Sequence, residues 1–380
     1  MTTLHASIKA YTDRLTQQGL LRARKLSMPE RSDLLCFDSN DYLSLTQEPR
    51  ISEYYQEGFK SNPCGSGGSM LLNGYHATHH AVERAFAQWL HVDECLLFIS
   101  GYAANLAVTG LLGQLKAHCF IDKGVHASIY DGLTLSQTPY VRYRHNNMDD
   151  LAAKLSLGSQ SAALITEGIF SMSGQIAPLA NIATLCSKNE VAFLVDEAHS
   201  LGIIGHEGRG AIAHHGLSQR EVPLRVIPLG KAFAGQGAVV AGQSSWINAL
   251  LQAGRSLTYS TAISPALSYG LLKTLDVVAA ADDRRLKLME LIAHFRACIK
   301  DSPLIWTDST TPIQQLQLGC PHKALAYVTE LQKQGISCSA IRKPTVSTKA
   351  SGLRVLLNYQ HKPEQINQLF HRLHSIYEHS

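Results

Sequence analysis

Short apolar segments that end in polar or small residues recur along much of this chain, and they limit its fold more than any other feature. The clearest of them are residues 94–101, 119–122, 162–166, 191–195 and 224–227. Stretches with helical character, such as residues 179–188, separate several of these segments. Buried strands that alternate with helices form βαβ units, so the sequence predicts an α/β domain built on a mostly parallel sheet.

Polar side chains follow the predicted strands at the points where the strands end. They are His126, Ser171, Asp196, His199 and Lys231. In open α/β sheets, ligands bind at the edge formed by the carboxyl ends of the strands. We therefore expect these side chains to lie near one crevice.

Asp196 and Lys231 have the chemistry that a pyridine-type aldehyde cofactor requires. Such a cofactor needs a carboxylate for its ring nitrogen and an amine for its aldehyde. Taken singly, an aspartate at a strand end is usually a turn former or helix cap, and a lone lysine usually lies on the surface. The segments VAFLVDEAHS at 191–200 and LGK at 229–231 bring Asp196, His199 and Lys231 into one pattern, which favours a cofactor site.

Two further positions suit the same cofactor. Gly101 and Tyr102 stand where a predicted strand meets a predicted helix, and free backbone N–H groups at a helix start bind anions such as phosphate. His126 follows a strand closely, and its imidazole could stack on a flat ring. A structural role for His126 is the alternative.

The length of 380 residues predicts one large and one smaller domain. No window approaches the roughly 20 apolar residues of a membrane helix, and the first residues lack a secretion signal, so we expect a cytoplasmic protein without a membrane partner. The eight cysteines are scattered singly, which indicates neither a metal site nor disulfides. The net charge of +4 is weak and dispersed, so no nucleic-acid partner is expected.

The remaining segments predict further elements. Helices are predicted at residues 5–26, 78–90, 102–113, 265–299, 323–334 and 363–377, and strands at 34–37, 237–242, 256–261, 313–318, 336–341 and 353–358. The composition changes at residues 301–303, which suggests a junction before a compact α+β domain. Residues 61–75 are glycine-rich but lack the spacing of a nucleotide-binding motif, so a tight loop is predicted there.

Eight phrases together resemble the α-oxoamine synthases, which are pyridoxal-phosphate enzymes of fold type I. They are SNDYLSL at 39–45, LLFISGYAAN at 96–105, HAS at 126–128, TEGIFSMSG at 166–174, VDEAHSLG at 195–202, LGKAF at 229–233, YSTAISP at 259–265 and AIRKPTV at 340–346. The resemblance implies an N-terminal helical segment at 1–44, a large cofactor domain at 45–300 with a mostly parallel seven-stranded sheet, and a small C-terminal α+β domain at 301–380.

The resemblance also implies roles for individual residues. Lys231 would carry the cofactor and act as the base, with His126 as a second candidate for proton transfer. Asp196 would hold the ring nitrogen, His199 would bond the phenolic oxygen, and His126 would also stack on the ring. The phosphate would be bound by Gly101, Tyr102 and Ser171, with Ser260 or Thr261 reaching the cofactor of a second subunit in a homodimer with shared active sites. Substrate contacts would come from Arg22, Asn40, His126, Thr345 and Arg354, with Arg354 binding the amino-acid carboxylate.

Within the family, the phrases most resemble the biotin-pathway members, which condense L-alanine with a pimeloyl thioester carried by coenzyme A or an acyl carrier protein. Members that use serine or glycine, or long-chain acyl groups, are alternatives within the family. A nicotinamide oxidoreductase and a non-catalytic binding protein are alternatives from other classes. The oxidoreductase would need a GxGxxG motif after the first strand, which this chain lacks.

Two residues depart from the family pattern. Pro228 stands where the family often carries a hydroxyl residue that binds phosphate, and proline offers neither a hydroxyl nor an N–H. We expect Gly101, Tyr102, Ser171 and the neighbouring subunit to bind the phosphate without it. Ser200 stands where biotin-pathway members usually have glycine, and in this it resembles the serine palmitoyltransferase and autoinducer-synthase branches.

Overall fold

The computed structural model describes residues 3–24, 26, 34–156, 158 and 161–379. The chain divides into two compact units. The central unit comprises Asp41–Ser171 and Ile176–Leu286, and the terminal unit comprises Met1–Asn40, Met172–Gln175 and Lys287–Ser380. Each unit has its own sheets, so the two are described separately.

The strands of the described residues are numbered in chain order. They are β1 (Leu35–Cys36), β2 (Glu94–Phe98), β3 (His118–Asp122), β4 (Tyr140–Tyr143), β5 (Ala162–Glu167), β6 (Ala192–Asp196), β7 (Leu224–Pro228), β8 (Ala238–Gly242), β9 (Ile313–Gln317), β10 (Ile336–Ser337), β11 (Ser339–Ile341) and β12 (Gly352–Leu356).

The α-helices are numbered in the same way. They are α1 (Leu4–Gln17), α2 (Pro49–Ser61), α3 (Ala77–Leu90), α4 (Gly101–Gln114), α5 (Ala127–Leu135), α6 (Met148–Leu155), α7 (Leu179–Lys188), α8 (Gly210–His214), α9 (Ser244–Ala253), α10 (Arg255–Thr258), α11 (Pro265–Ala279), α12 (Asp282–Lys300), α13 (Pro321–Lys333) and α14 (Pro363–Glu378). Within the described ranges, none of these helices has the length and apolar character needed to cross a membrane.

The central unit is built on a seven-stranded sheet in the order β2-β8-β7-β6-β5-β3-β4. Strand β8 runs antiparallel to both of its neighbours, and the other strands are parallel to one another. The prediction of a mostly parallel seven-stranded sheet is therefore confirmed. Its strands are almost wholly apolar and buried, as expected for a sheet covered on both faces.

The register of the parallel strands decides which side chains become neighbours. Glu167, the last residue of β5, pairs with Asp196, the last residue of β6. Asp196 in turn pairs with Val226 of β7. Polar residues that follow these strands are thus collected at one edge of the sheet.

The terminal unit contains a three-stranded antiparallel sheet in the order β11-β12-β9 and a parallel pair of short strands, β1 and β10. Helix α14 has its apolar face buried, whereas α1 has no buried residue. The Thr3 side chain caps α1 by accepting a hydrogen bond from the Ala6 amide.

The helix predicted at 265–299 is two helices, α11 and α12, and the strand predicted at 336–341 is divided into β10 and β11, which belong to different sheets. Two other predicted elements were wrong over part or all of their length. The helix predicted at 5–26 ends at Gln17, because Gly19 has a φ of +65° that interrupts the helix, and residue 25 lies outside the described residues. The strand predicted at 256–261 is instead the short helix α10 followed by irregular backbone. There the Ser256 hydroxyl donates to the Ala103 carbonyl oxygen at 2.6 Å and Leu257 is buried, so packing decides the backbone.

Candidate active site

A cavity of about 130 Å³ lies in the central unit, at the edge where β5, β6 and β7 end. It is lined by Gly101, Tyr102, Asn105, His126, Ser128, Glu167, Asp196, Ala198, His199, Pro228 and Lys231. Most of the side chains expected at the cofactor therefore share one cavity wall. Among the described residues no group of histidine, cysteine and acidic side chains could hold a metal ion.

Asp196 is held firmly as a carboxylate in the cavity wall. Only 3% of the residue is exposed. Its Oδ1 accepts a hydrogen bond from the Ala198 amide at 2.9 Å, and its Oδ2 accepts one from the Asn105 side-chain amide at 2.8 Å. Both oxygens of Asp196 are thus held by donors of the protein, and the carboxylate can face a cationic ring nitrogen.

His199 is oriented by a residue that the sequence did not single out. The Tyr42 hydroxyl lies 2.7 Å from His199 Nδ1, and both side chains are buried. A tyrosine hydroxyl that donates to Nδ1 leaves the imidazole proton on Nε2. His199 can then donate a hydrogen bond from Nε2 to an oxygen atom in the cavity.

Lys231 lies in a tight turn directly after β7. The Leu229 amide donates to the Gly237 carbonyl oxygen at 3.0 Å, the Ala234 amide to the Lys231 carbonyl oxygen at 2.8 Å, and the Gly235 amide to the Leu229 carbonyl oxygen at 2.9 Å. These bonds fix the backbone on both sides of Lys231 and leave its half-buried side chain in the cavity wall.

Gly101 and Tyr102 begin helix α4, as the anion-site interpretation requires. Ser100 caps the helix by accepting a hydrogen bond from the Ala103 amide at 3.1 Å, and the amide groups of the first turn face no helical carbonyl. The Tyr102 hydroxyl donates to Asp131 at 2.6 Å, and this bond raises the pKa of Tyr102. The phenol is therefore held as a donor, away from a role as a base.

Pro228 packs directly against Gly101. A Cβ atom added to Gly101 would lie 2.4 Å from Pro228 Cγ and 2.8 Å from its Cβ. With proline at position 228, residue 101 therefore has to be glycine. The departure at Pro228 is accommodated by the glycine that opens the helix.

Glu167 is a functional candidate that the sequence interpretation missed. It is 2% exposed and lies beside Asp196 in the sheet register. Its Oε2 accepts from the Ser171 amide at 3.2 Å, and its buried Oε1 has no hydrogen-bond partner among the described residues. Burial, and then the charge of Asp196, raise the pKa of Glu167 well above its ordinary value. Ser171 thus contacts the cavity through Glu167.

Ser200 does not line the cavity. It is fully buried, and its hydroxyl donates to the Glu197 carboxylate, which also accepts from the Ala211 and Ile212 amides at 2.8 and 3.0 Å. The serine therefore supports the turn after Asp196 from within the fold. The side chain that distinguishes Ser200 from glycine therefore does not contact the cavity.

Ser260 and Thr261 lie in the irregular segment after α10, and neither lines the cavity of its own chain. Thr261 is exposed and Ser260 is half-buried.

The expected substrate residues outside the central unit form two pairs within the terminal unit. Arg22 donates to the Thr345 hydroxyl at 3.0 Å, and Arg354 donates to the Asn40 side-chain oxygen at 3.0 Å. Arg342 holds the backbone before Arg22 by donating to the carbonyl oxygens of Gly19 and Leu21 at 2.7 and 2.9 Å. The four residues selected from the sequence are thus paired two by two.

Four cavity or near-cavity residues were missing from the sequence-based selection: Tyr42, Asn105, Ser128 and Glu167. All lie inside the phrases that carried the family resemblance. Asn105 could have been found from its setting, since it is a polar residue among alanine, leucine and valine in a helix that is otherwise buried. The partner of such a residue, in contrast, depends on the tertiary fold.

The donor set fits a pyridoxal-phosphate ring. A buried carboxylate, a lysine and an imidazole share one cavity with the first amide groups of a 14-residue helix. The missing Cβ of Gly101 keeps that helix start open beside Pro228. The unpartnered Oε1 of Glu167 leaves one buried acceptor that a bound group could satisfy.

Comparison with known proteins gives a consistent picture. Residues 32–373 match the family model for class I and II aminotransferases. The chain is 37% identical to 8-amino-7-oxononanoate synthase of Thioalkalivibrio sulfidiphilus over 96% of both chains, and 40% identical to the enzyme of that name from Stenotrophomonas maltophilia over 88% of this chain and 82% of the other.

Two solved structures share the fold. Serine palmitoyltransferase of Sphingomonas wittichii superposes with a TM-score of 0.89 over 98% of both chains at 24% identity, a likeness of fold alone. A crystal structure of 8-amino-7-oxononanoate synthase from Francisella tularensis has a TM-score of 0.79 at 31% identity and covers 91% of this chain and 99% of the other.

Proposed function

The chain belongs to the class I and II aminotransferase family, and from this premise we propose that it is a pyridoxal-phosphate enzyme that condenses L-alanine with a pimeloyl thioester, the reaction of 8-amino-7-oxononanoate synthase. The observation that carries the proposal is the convergence of Asp196, His199, Lys231 and His126 on one cavity at the carboxyl ends of parallel strands. The names of the relatives supply the choice of substrates.

The bound cofactor supplies an electron sink for the carbanion that forms at the amino-acid α-carbon. Asp196 would hold the ring nitrogen, because its buried carboxylate is oriented by two donors. His199 would donate from Nε2 to the phenolic oxygen, and Tyr42 holds the imidazole in that orientation. The first amides of α4, at Gly101 and Tyr102, would bind the phosphate. Ser171, which the resemblance gives as a further phosphate ligand, does not line the cavity, and its amide donates to Glu167.

Lys231 has two tasks in the proposed reaction. Its Nζ would hold the cofactor through the aldehyde carbon, and it would act as the base for the α-proton of alanine. The tight turn of residues 229–235 supports both tasks because it fixes the lysine backbone beside the cavity. Burial and the charge of Asp196 raise the pKa of Glu167, which disfavours a second negative charge in the site.

Arg354 and Arg22 are proposed to bind the substrates' polar ends. A guanidinium forms paired hydrogen bonds with a carboxylate, and Asn40 already orients that of Arg354. Arg22, held by Thr345, is proposed to contact the acyl substrate. The active unit is proposed to be a homodimer in which Ser260 or Thr261 reaches the partner's cofactor phosphate, which agrees with the exposure of Thr261.

The experiment is a substrate matrix with the purified, cofactor-loaded enzyme. Alanine, serine and glycine are each paired with pimeloyl and palmitoyl thioesters of coenzyme A, and with pimeloyl acyl carrier protein, while carbon dioxide and thiol release are measured. We expect release only with alanine and a pimeloyl thioester. Preference for serine and the palmitoyl thioester would overturn the proposal in favour of a long-chain acyl transferase.

Lys231→Ala tests the chemistry separately from substrate choice. We expect loss of turnover and of the lysine-linked cofactor, seen as absorbance that no longer survives gel filtration. Lys188→Ala, an exposed lysine in the last turn of α7, is the matched control and should change neither property. Full activity of Lys231→Ala would contradict the proposal and favour a binding protein.

A further inference from the structure

Four polar side chains form a continuous series of hydrogen bonds along one wall of the cavity. The Asn105 Nδ2 atom donates to Asp196 Oδ2 at 2.8 Å and to Ser128 Oγ at 2.9 Å. Ser128 Oγ lies 2.8 Å from His126 Nδ1. Asn105, Ser128 and Asp196 are each at most 4% exposed, so water does not compete for these bonds.

The direction of the bonds at Asn105 follows from the chemistry of its partners. A carboxylate can only accept, so the amide nitrogen of Asn105 must face Asp196. That NH₂ group has two protons, and it has two neighbours in hydrogen-bond range. One proton goes to Asp196 and the other to Ser128, so Ser128 Oγ accepts.

The direction at Ser128 follows in turn. Its hydroxyl has a single proton, and because Oγ already accepts from Asn105, that proton is available to His126 Nδ1. The backbone amide of Ser128 also donates to Nδ1, at 3.3 Å, because His126 is the N-cap residue of α5. Nδ1 therefore receives two donors and carries no proton itself.

We propose that Asn105 and Ser128 are positioning residues that fix His126 as the neutral tautomer protonated at Nε2. This proposal rests on the proposed function. In that reaction, His126 would donate a hydrogen bond to an oxygen atom of the bound substrate. An imidazole with Nε2 protonated and Nδ1 occupied cannot accept a substrate proton. Removal of the α-proton then falls to Lys231 alone.

The charges around His126 agree with this assignment. Asp196 from β6, Glu167 from β5, Asp131 from α5 and Lys231 after β7 surround it. Burial lowers the pKa of His126, and the positive charge of Lys231 acts in the same direction, against the opposing charges of Asp196 and Asp131. A second proton would have to enter at Nδ1, and it would break the bond from Ser128.

The test follows the imidazole nitrogens by NMR, in protein labelled with ¹⁵N in its histidine rings and studied with and without cofactor. His126 is assigned by comparison with His126→Gln. We expect an unprotonated Nδ1 and a protonated Nε2 in the parent protein. In Ser128→Ala we expect mixed tautomers and a raised His126 pKa, because Nδ1 has lost its side-chain donor. A proton on Nδ1 in the parent protein would overturn the inference.

A second variant and a control separate this effect from a general loss of structure. In Asn105→Asp the new carboxyl group lies beside Asp196, so we expect it to take up a proton and donate it to Asp196. Its other oxygen can then accept the Ser128 proton, so the tautomer preference of His126 should again be lost. Ser136→Ala removes a hydroxyl at the other end of α5 that donates to the Gly132 carbonyl oxygen, and it should leave His126 unchanged. An unchanged tautomer in both Ser128→Ala and Asn105→Asp would contradict the inference.

Substrate binding gives an independent readout. If His126 donates from Nε2, Ser128→Ala should weaken equilibrium binding of the amino acid by about 3- to 10-fold, the worth of one hydrogen bond. The acid limb of that binding should also move to higher pH, since His126 gains a proton more easily. The tautomer measurement requires no turnover. The tautomer of His126 can therefore differ from the proposal while the proposed reaction is correct, and it can match the proposal while the proposed reaction is wrong.

Discussion

Replacing Gly101 by alanine tests whether the departure at Pro228 and the glycine at the start of α4 form one structural unit. The added Cβ would lie 2.4 Å from Pro228 Cγ, where ordinary contacts are 3.4–4 Å. Gly101 does not have a positive φ, so alanine suits its backbone and is a better helix former. Any loss must therefore come from the contact with the proline ring.

The size of the loss follows from the overlap. Overpacking of this kind costs about 1–3 kcal/mol. If that cost falls on the helix start that is proposed to bind phosphate, it corresponds to about a 5- to 150-fold weaker cofactor affinity. Pro228→Ala removes Cγ but leaves a Cβ at 2.8 Å, so relief should be partial. Pro228→Gly leaves only Cα at 3.7 Å, an ordinary contact, so relief should be complete.

The assay is a titration of cofactor-free protein with pyridoxal phosphate, combined with thermal unfolding, for Gly101→Ala in each of the three Pro228 backgrounds. Double-mutant cycles give the coupling energy between the two positions. Gly110→Ala, in the same helix but with no atom within 4 Å of the added Cβ, is the matched control and should be neutral or slightly stabilising. An equal loss in the Pro228→Gly background would refute the reasoning.

Two further predictions concern buried polar residues. Tyr42→Phe removes the hydrogen bond to His199, so it should shift the pH titration of the bound cofactor's visible absorbance and weaken cofactor binding by about 3- to 10-fold. The control is Tyr143→Phe, at a buried tyrosine in β4, which should change neither property. Burial raises the pKa of Glu83 to about 7. The protonated side chain therefore contributes its full stabilisation below about pH 4.3, and the free energy of unfolding falls by about 3 kcal/mol as pH rises through 7. Denaturant unfolding of Glu83→Gln between these pH values should show a flatter profile, and a profile like that of the parent protein would contradict the assignment.

Most of the central sheet was predictable because most of its strands have a local sequence signal. The largely apolar runs at 162–166, 191–195 and 224–227 each coincide with a strand of the structure to within one residue. Elements with less contrast escaped prediction. Strand β4, for example, has alternating exposure at the edge of the sheet, and its sequence YVRY differs little from that of a loop.

The sequence predicts the cavity residues that directly follow strands. It does not predict the residues that hold those side chains in place. Asp196 and Lys231 stand at strand ends, so topology alone brings them to one edge. Tyr42 approaches His199 across 157 positions of sequence, and no local pattern encodes that contact. The contact of Ser200 is of the same kind, since its hydroxyl donates to Glu197 inside the fold and its place beside His199 in the sequence does not predict that partner.

The pairing of Glu167 with Asp196 explains how two neighbouring carboxyl groups can serve one cationic ring. Two buried carboxylates side by side repel each other, so one of them takes up a proton. Each oxygen of Asp196 accepts a hydrogen bond, one from Asn105 and one from the Ala198 amide. Burial and the charge of Asp196 raise the pKa of Glu167 well above its ordinary value, which disfavours a second negative charge beside Asp196. Under the proposed function, Asp196 is therefore the better partner for the ring nitrogen, and hydrogen bonding as well as position in the sheet distinguishes the two carboxyl groups.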